Sequence, residues 1–274
     1  MILGKCNYCR RPIYYVLDRL EGAHGKCKRT HKTGVKKIVE KMRNFAEFGG
    51  DLQKLKSEIK AIARSSYIKD KDVGKHVFKG WESSASTMLS QGVPSKPVEK
   101  NLRDLLDLTT LPKKKLRKSE AYSNFQHLPF LRNVGAGRYP SSVANASGVN
   151  FNLVHSEKLI CVFTRVAYYE QIDSQLLESH DKIVRRGLGT DSYRLKYNET
   201  FKEIDMGAMG FSTEHIYFVG RIRRFRIPYT RIALFNRDSF GISLVQDGQY
   251  PLPQQFRLED TWFAYNLILI LTRQ

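Results

Sequence analysis

Two textures of hydrophobic and polar positions divide the chain. From Val35 onward the apolar residues recur at helical spacing, with Val35, Ile38, Val39, Met42, Phe45 and Ala46 falling on one face. Gly49-Gly50 ends that helix, Asp51 is placed to cap the next, and Leu52, Leu55, Ile59 and Ile62 form its stripe. A third helix follows Asp70 or Asp72 and buries Val73, Val77, Phe78, Trp81, Ala85, Met88 and Leu89 before Gly92 stops it. Ser95-Lys96-Pro97 opens a fourth, in which proline is tolerated in the first turn and Leu102, Leu105 and Leu106 face inward. These stripes read as the core of a helical bundle over residues 35–118.

Residues 119–148 read as a connection, because the stretch from Gly135 to Gly148 is rich in Gly, Ser, Pro and Asn and has little hydrophobic period. Beyond it, over 149–274, the apolar residues come in short β-branched and aromatic runs between turn residues. Extended segments are expected at 159–169, 192–204, 210–219, 224–235 and 242–245. The alternation Phe225-Arg226-Ile227 suits a half-buried antiparallel sheet, and Pro228 marks an edge or a bulge. Trp262 to Leu271 reads as a terminal helix. The fold class expected is therefore α+β, a helical bundle followed by an antiparallel, barrel-like domain closed by a C-terminal helix.

The segment before the bundle, 1–34, changes the picture through its cysteines. Cys6-Asn7-Tyr8-Cys9 is followed by Cys27-Lys28-Arg29-Thr30-His31, so three of the four cysteines stand in metal-ligand spacing. Two Cys separated by two residues form a knuckle with both sulfurs toward one ion, and a Cys and His four apart share a helix face. The expected cofactor is a structural zinc on Cys6, Cys9, Cys27 and His31. His24-Gly25-Lys26-Cys27 offers a second legal pair in which His24 replaces His31. The remaining thiol, Cys161, lies in an apolar run and reads as a core residue, and a zinc pattern without a disulfide framework suits a reducing, cytoplasmic location. No signal-peptide pattern is seen at Met1 to Lys5, and the longest apolar run is about half a membrane span.

The net charge of +19 makes acidic partners the natural ones. Two basic clusters stand out. Arg221, Arg223, Arg224 and Arg226 fall at a strand turn, where guanidinium groups meet the carboxylates of an acidic protein segment or the phosphates of an anionic lipid surface. Arg10, Arg11, Lys28, Arg29, Lys32 and Lys36 crowd the zinc module and first helix, with Tyr8, Tyr14 and Tyr15 available to stack on bases, which points to nucleic acid as the alternative partner. The basic run Lys113 to Lys118 suits contact with phosphates or acidic lipid, or more simply a solvated linker. No phosphate-cradling glycine loop, Gly-x-Ser-x-Gly or His-Glu-x-x-His is present, and strand alternation sends Glu214 and His215 to opposite faces, so no enzyme is expected.

Several segments carry a resemblance. Asn152 to Val162, Gly207 to Phe218, Phe225 to Ile232, Phe240 to Ile242 and Trp262 to Leu267 resemble the successive strands and final helix of a bacterial PH-like (GRAM-like) domain. Gly49 to Leu52, Gly80-Trp81-Glu82 and Gly92 to Ser95 are similar to helical segments of tellurite-resistance TerB-like type. In this order, zinc motif, TerB-like segment and PH-like domain resemble a group of uncharacterised bacterial proteins. The resemblance implies an adaptor with a basic PH-like surface and carries no enzymatic activity with it.

Overall fold

The computed structural model describes residues 4–143, 148–171, 201–238, 240–248 and 253–273. The chain is a mixture of helices and antiparallel sheet and divides into two compact units, Met1–Leu128 and Pro129–Gln274.

The first unit contains α1 (Val16–Glu21), α2 (Gly25–Phe48), α3 (Leu52–Ser65), α4 (Asp70–Ser90), α5 (Lys96–Asp107), the single turn α6 (Lys113–Leu116) and the start of α7 (Glu120–Gly135). The four expected helices are α2 to α5. Asp51 caps α3 as its position suggests, its Oδ1 accepting the N–H groups of Gln53 at 2.8 Å and Lys54 at 3.2 Å. α2 starts at Gly25, inside the segment assigned to the metal module, so the module and the bundle share one helix. Helices α2 and α4 cross closely at Gly80, where a Cβ would lie 2.8 Å from Met42 Cγ and 3.3 Å from Val39 Cα. Trp81 follows, fully buried between Phe78 and Phe125 at ring separations of 5.6 and 5.7 Å, and its indole N–H donates to the Leu102 carbonyl at 2.8 Å. That bond ties α4 to α5 and satisfies the one polar atom of the ring.

Residues 119–148 are not merely a connection, because they begin with α7. Ala121, Phe125, Leu128, Leu131 and Val134 recur every three or four positions and are all buried. Pro129, which has no N–H to give to the helix, interrupts the sequence signal without ending the helix.

The second unit is built on β1 (Leu159–Gln171), β2 (Phe201–Ser212), β3 (His215–Gly220), β4 (Arg224–Pro228), β5 (Ile232–Arg237), β6 (Ile242–Gln246) and β7 (Gln254–Arg257). Their order in the sheet is β4-β3-β2-β1-β7-β6-β5. Of the extended segment expected at 192–204, residues 192–200 lie outside the described residues and 201–204 open β2. The single strand expected at 210–219 is instead a hairpin, turned at Thr213-Glu214, where the Ser212 hydroxyl accepts the N–H groups of Glu214 and His215. The segment 224–235 is likewise divided, by one 3-10 turn over Tyr229–Arg231. Pro228 ends β4, an edge strand, as its missing N–H requires. The same proline and turn break the ladder between β4 and β5. Among the described residues these two strands do not pair, so the closed barrel expected from the pattern is not seen. β7 carried no strand signal, since its four residues include two glutamines, yet it joins β1 to β6. The core gathers Phe218, Phe225 and Phe256 within 5.0–5.2 Å of Tyr168. The terminal helix, α8 (Thr261–Leu271), is capped by Asp260 and packs against β5 and β6.

Candidate metal centre and basic surfaces

Residues 5–12 form a tight hairpin. Lys5 bridges to Pro12, the Cys6 N–H donates to the Arg11 carbonyl at 2.9 Å, and the Arg10 N–H returns to the Cys6 carbonyl at 3.0 Å. Arg10 takes the left-handed conformation (φ 60°) that such a turn requires. The Asn7 N–H then reaches the Gly22 carbonyl at 2.9 Å, which brings the knuckle to the mouth of α2. Cys27 lies in the first turn of that helix and His24 at its N-cap.

The result is a cluster of Cys6, Cys9, His24 and Cys27 whose ligand atoms lie within 4.8 Å of one another, a group that can hold a metal ion. His24 Nδ1 is 3.3 Å from Cys9 Sγ and 3.8 Å from Cys27 Sγ. A tetrahedral zinc at ordinary bond lengths holds its donors about 3.5–3.8 Å apart, so the spacing suits that ion. His24 Nε2 lies 3.0 Å from the Pro12 carbonyl. A proton on Nε2 satisfies that carbonyl and leaves the Nδ1 lone pair directed at the sulfurs, the outer-sphere arrangement of a ligating histidine. Cys6 and Cys27 are buried with Ile13 and Ala23. Burial raises the Cys6 thiol, but the N–H groups of Cys9, His24 and Tyr8 outweigh it and hold the pKa at about 6. Cys27 is pushed up to about 11, first by burial and then by its neighbours Cys9 and Cys6. Ionisation of Cys27 beside Cys6 and Cys9 is thus disfavoured, and a cation among the sulfurs would reverse that.

His31, the fourth ligand preferred from spacing, stands outside the cluster. Its ring lies 4.8 Å from Tyr8 and 5.9 Å from His76. The knuckle approaches α2 from its N-terminal end, toward which Cβ atoms tilt, so His24 just before the helix joins the cluster and His31, about two turns further on, does not. The sequence signal was Gly25, whose N–H donates to Asp18 Oδ1 at 3.2 Å and which marks where the helix opens.

The basic residues around this centre differ in their surroundings. Lys28 is engaged by Glu21 at 2.9 Å. Arg10, Arg11, Arg29, Lys32 and Lys36 are exposed. Lys26, Arg29 and Lys37 line a groove of about 390 Å³ together with Thr30 and Thr33 of the same helix and Ile62, Ser65 and Ser66 of the end of α3. The α2 residues of this lining recur at helical spacing, so one face of α2 presents cations and hydroxyls in a continuous stripe. No carboxylate belongs to the described lining.

In the second unit the arginine hairpin is shaped by Asp205. Its carboxylate accepts the N–H groups of Arg221 (3.3 Å), Ile222 (2.7 Å) and Arg223 (2.7 Å). Burial pushes its pKa up, but these donors prevail and hold it below the ordinary carboxylate value. Of the four arginines singled out, Arg223 is occupied, since its Nε and Nη2 each lie 3.0 Å from a Glu170 oxygen. Arg221, Arg224 and Arg226 are exposed, and Arg224 and Arg226 share the outer face of β4 opposite Phe225 and Ile227.

One cluster had no sequence signal. His215 does not pair with the adjacent Glu214. Its Nδ1 meets Glu157, 58 residues away, at 2.6 Å. Glu157, whose side chain is fully buried, also accepts the Ser212 hydroxyl at 2.7 Å, the Val154 N–H at 2.7 Å and the Tyr217 hydroxyl. Burial raises its pKa, but Tyr217, Ser212 and His215 together hold it below the ordinary value. With both oxygens filled, this carboxylate acts as a lock on the β2–β3 hairpin.

No family model and no curated protein matches the chain. Among the described residues no helix is long and apolar enough to cross a membrane.

Proposed function

We propose that this is a non-enzymatic binding protein in which a structural zinc on Cys6, Cys9, His24 and Cys27 holds the N-terminal module against α2, and the basic face of that helix binds the phosphate backbone of nucleic acid. The observation that carries this reading is the groove where Lys26, Arg29 and Lys37 converge beside Thr33 without a carboxylate in the described lining, the Thr30 hydroxyl being given to the Lys26 carbonyl at 3.0 Å. Backbone phosphates are recognised by that combination of charge and hydrogen bonding. Charge is also concentrated there, since residues 4–43 hold twelve Lys and Arg against three Asp and Glu. The zinc's part is structural, because four protein ligands leave it no open position.

A second reading is favoured by the hairpin that Asp205 holds in place. Its exposed Arg221, Arg224 and Arg226 suit an acidic protein segment or anionic membrane surface. The strand order with a C-terminal helix supports a PH-like domain, and with it the adaptor role that the sequence resemblance implies.

The deciding experiment is a salt titration of labelled nucleic acid by fluorescence anisotropy. Wild type should bind with a steep negative log-log slope, and the Lys26→Ala/Arg29→Ala/Lys37→Ala variant should lose affinity with a slope shallower by about 2–3. A flat slope, or no binding, removes the nucleic-acid reading.

A further inference from the structure

We infer that the nucleic acid taken by the metal module is single-stranded, with its bases stacking on Tyr14 and Tyr15. The inference rests on the phosphate-binding reading above and adds what lies beyond the phosphates. Three tyrosines belong to the module, and the structure separates them. Tyr8 is engaged, packing on the metal-site core and against His31. Tyr14 and Tyr15 are 61% and 73% exposed, an unusual outlay of aromatic surface for two adjacent residues.

Their backbone is nevertheless held firmly. The preceding Ile13 is buried with Cys6, Ala23 and Cys27, its N–H donates to the Gly4 carbonyl at 2.8 Å, and the Pro12 carbonyl faces His24 at 3.0 Å. The rings therefore project from a segment pinned to the metal centre, which lowers the cost of ordering them on binding. Leu17 and Leu20, three apart on α1 just after the tyrosines, are 78% and 80% exposed. Cations border this segment on both sides in sequence, Arg10 and Arg11 from the knuckle and Lys26 and Arg29 around Cys27.

Exposed rings among cations distinguish one form of nucleic acid from the other. A duplex keeps its bases stacked inside and offers such a surface only phosphates. A single strand offers a π face with every nucleotide, and stacking on aromatic side chains is its usual mode of capture. Charge complementarity selects a polyanion and the tyrosines select the strand whose bases are accessible.

The test uses the full-length, zinc-loaded protein with a labelled oligo-dT of about 20 nucleotides and a labelled duplex of about the same length, at one salt concentration. Oligo-dT should bind more tightly than duplex. Tyr14→Ala/Tyr15→Ala should weaken oligo-dT binding by about tenfold or more and duplex binding by less than about twofold, while Tyr14→Phe/Tyr15→Phe, which keeps both rings, should bind like wild type. Unchanged zinc content by native mass spectrometry shows that the alanine variant keeps its fold. Duplex bound as tightly as oligo-dT, or an alanine variant that binds oligo-dT like wild type, overturns the single-strand inference and leaves phosphate binding standing. Binding to neither probe overturns both and turns the exposed tyrosines and leucines toward a protein partner.

Discussion

The molecule gathers polar side chains at two places in opposite ways. At Cys6, Cys9, His24 and Cys27 the acceptor atoms converge on one another, and the N–H groups around Cys6 compensate only part of the charge. At Glu157 each acceptor meets a donor, from Ser212, His215, Tyr217 and the Val154 backbone. The first arrangement is one that a cation at its centre would complete. The second is complete by itself. A buried cluster thus declares whether it needs a ligand through its balance of donors and acceptors, independently of how tightly it is packed.

The largest effect expected from breaking this contrast is metal removal. The core around Cys6 and Cys27 is small, and on the zinc reading the ion supplies most of its stability, since structural zinc contributes about 10–16 kcal/mol in zinc-finger peptides. Chelation, or Cys6→Ser, should unfold the knuckle and release the Asn7–Gly22 tie, seen as amide exchange throughout residues 4–24, while exchange in β1 to β3 stays unchanged. Simultaneous loss of both sets of protected amides would refute the independence of the two clusters.

Next in size is Glu157→Ala. Removing the carboxylate leaves the Tyr217 hydroxyl buried without its acceptor, while Ser212 keeps the His215 carbonyl at 3.0 Å, at a cost of about 2–3 kcal/mol in urea unfolding, with zinc content unaffected. Glu157→Gln should cost less because one acceptor oxygen survives. The pH dependence follows from the same group. Its folded pKa is lowered below the unfolded value of 4.5, so its contribution is present in full above about pH 4.5 and is lost as pH falls through the folded value. Acid unfolding of the sheet should therefore begin below about pH 4.5 in wild type, and Glu157→Gln should flatten that dependence. An unaltered acid limb in the variant would assign the lowered pKa no role in stability.

The smallest effect is expected at Asp205→Asn. The hairpin keeps one acceptor but loses charge-assisted bonds to the N–H groups of residues 221–223, at about 1–2 kcal/mol. On the adaptor reading, retention on vesicles containing anionic lipid at low salt should fall with it. Retention equal to wild type would separate the arginines' role from the rigidity of the turn.

Much of this was legible in the chain by itself. The 3.6-residue period located α2 to α5, because each buries one stripe on its neighbours, and Asp51 and Gly49 bound their helices by local chemistry. The convergence of the Cys-x-x-Cys knuckle and Cys27 was readable, since their spacing is one that a metal site imposes. Local pattern failed where a signal was interrupted or absent. Pro129 read as a helix breaker although the buried positions of α7 keep their spacing across it, and a serine made the turn at Thr213-Glu214 where no glycine announced one.

Tertiary structure alone decided the rest. That His24 rather than His31 lies among the cysteines depended on which end of α2 the knuckle meets. The pairing of Glu157 with His215, the occupation of Arg223 by Glu170 and the insertion of β7 between β1 and β6 join residues far apart in the chain, and no local periodicity encodes them. Sequence dictates which faces must be buried and which atoms need partners. Which distant residue supplies the partner is settled only when the elements pack, because side-chain hydrogen bonds and metal ligation act over a few ångströms and take no account of separation along the chain.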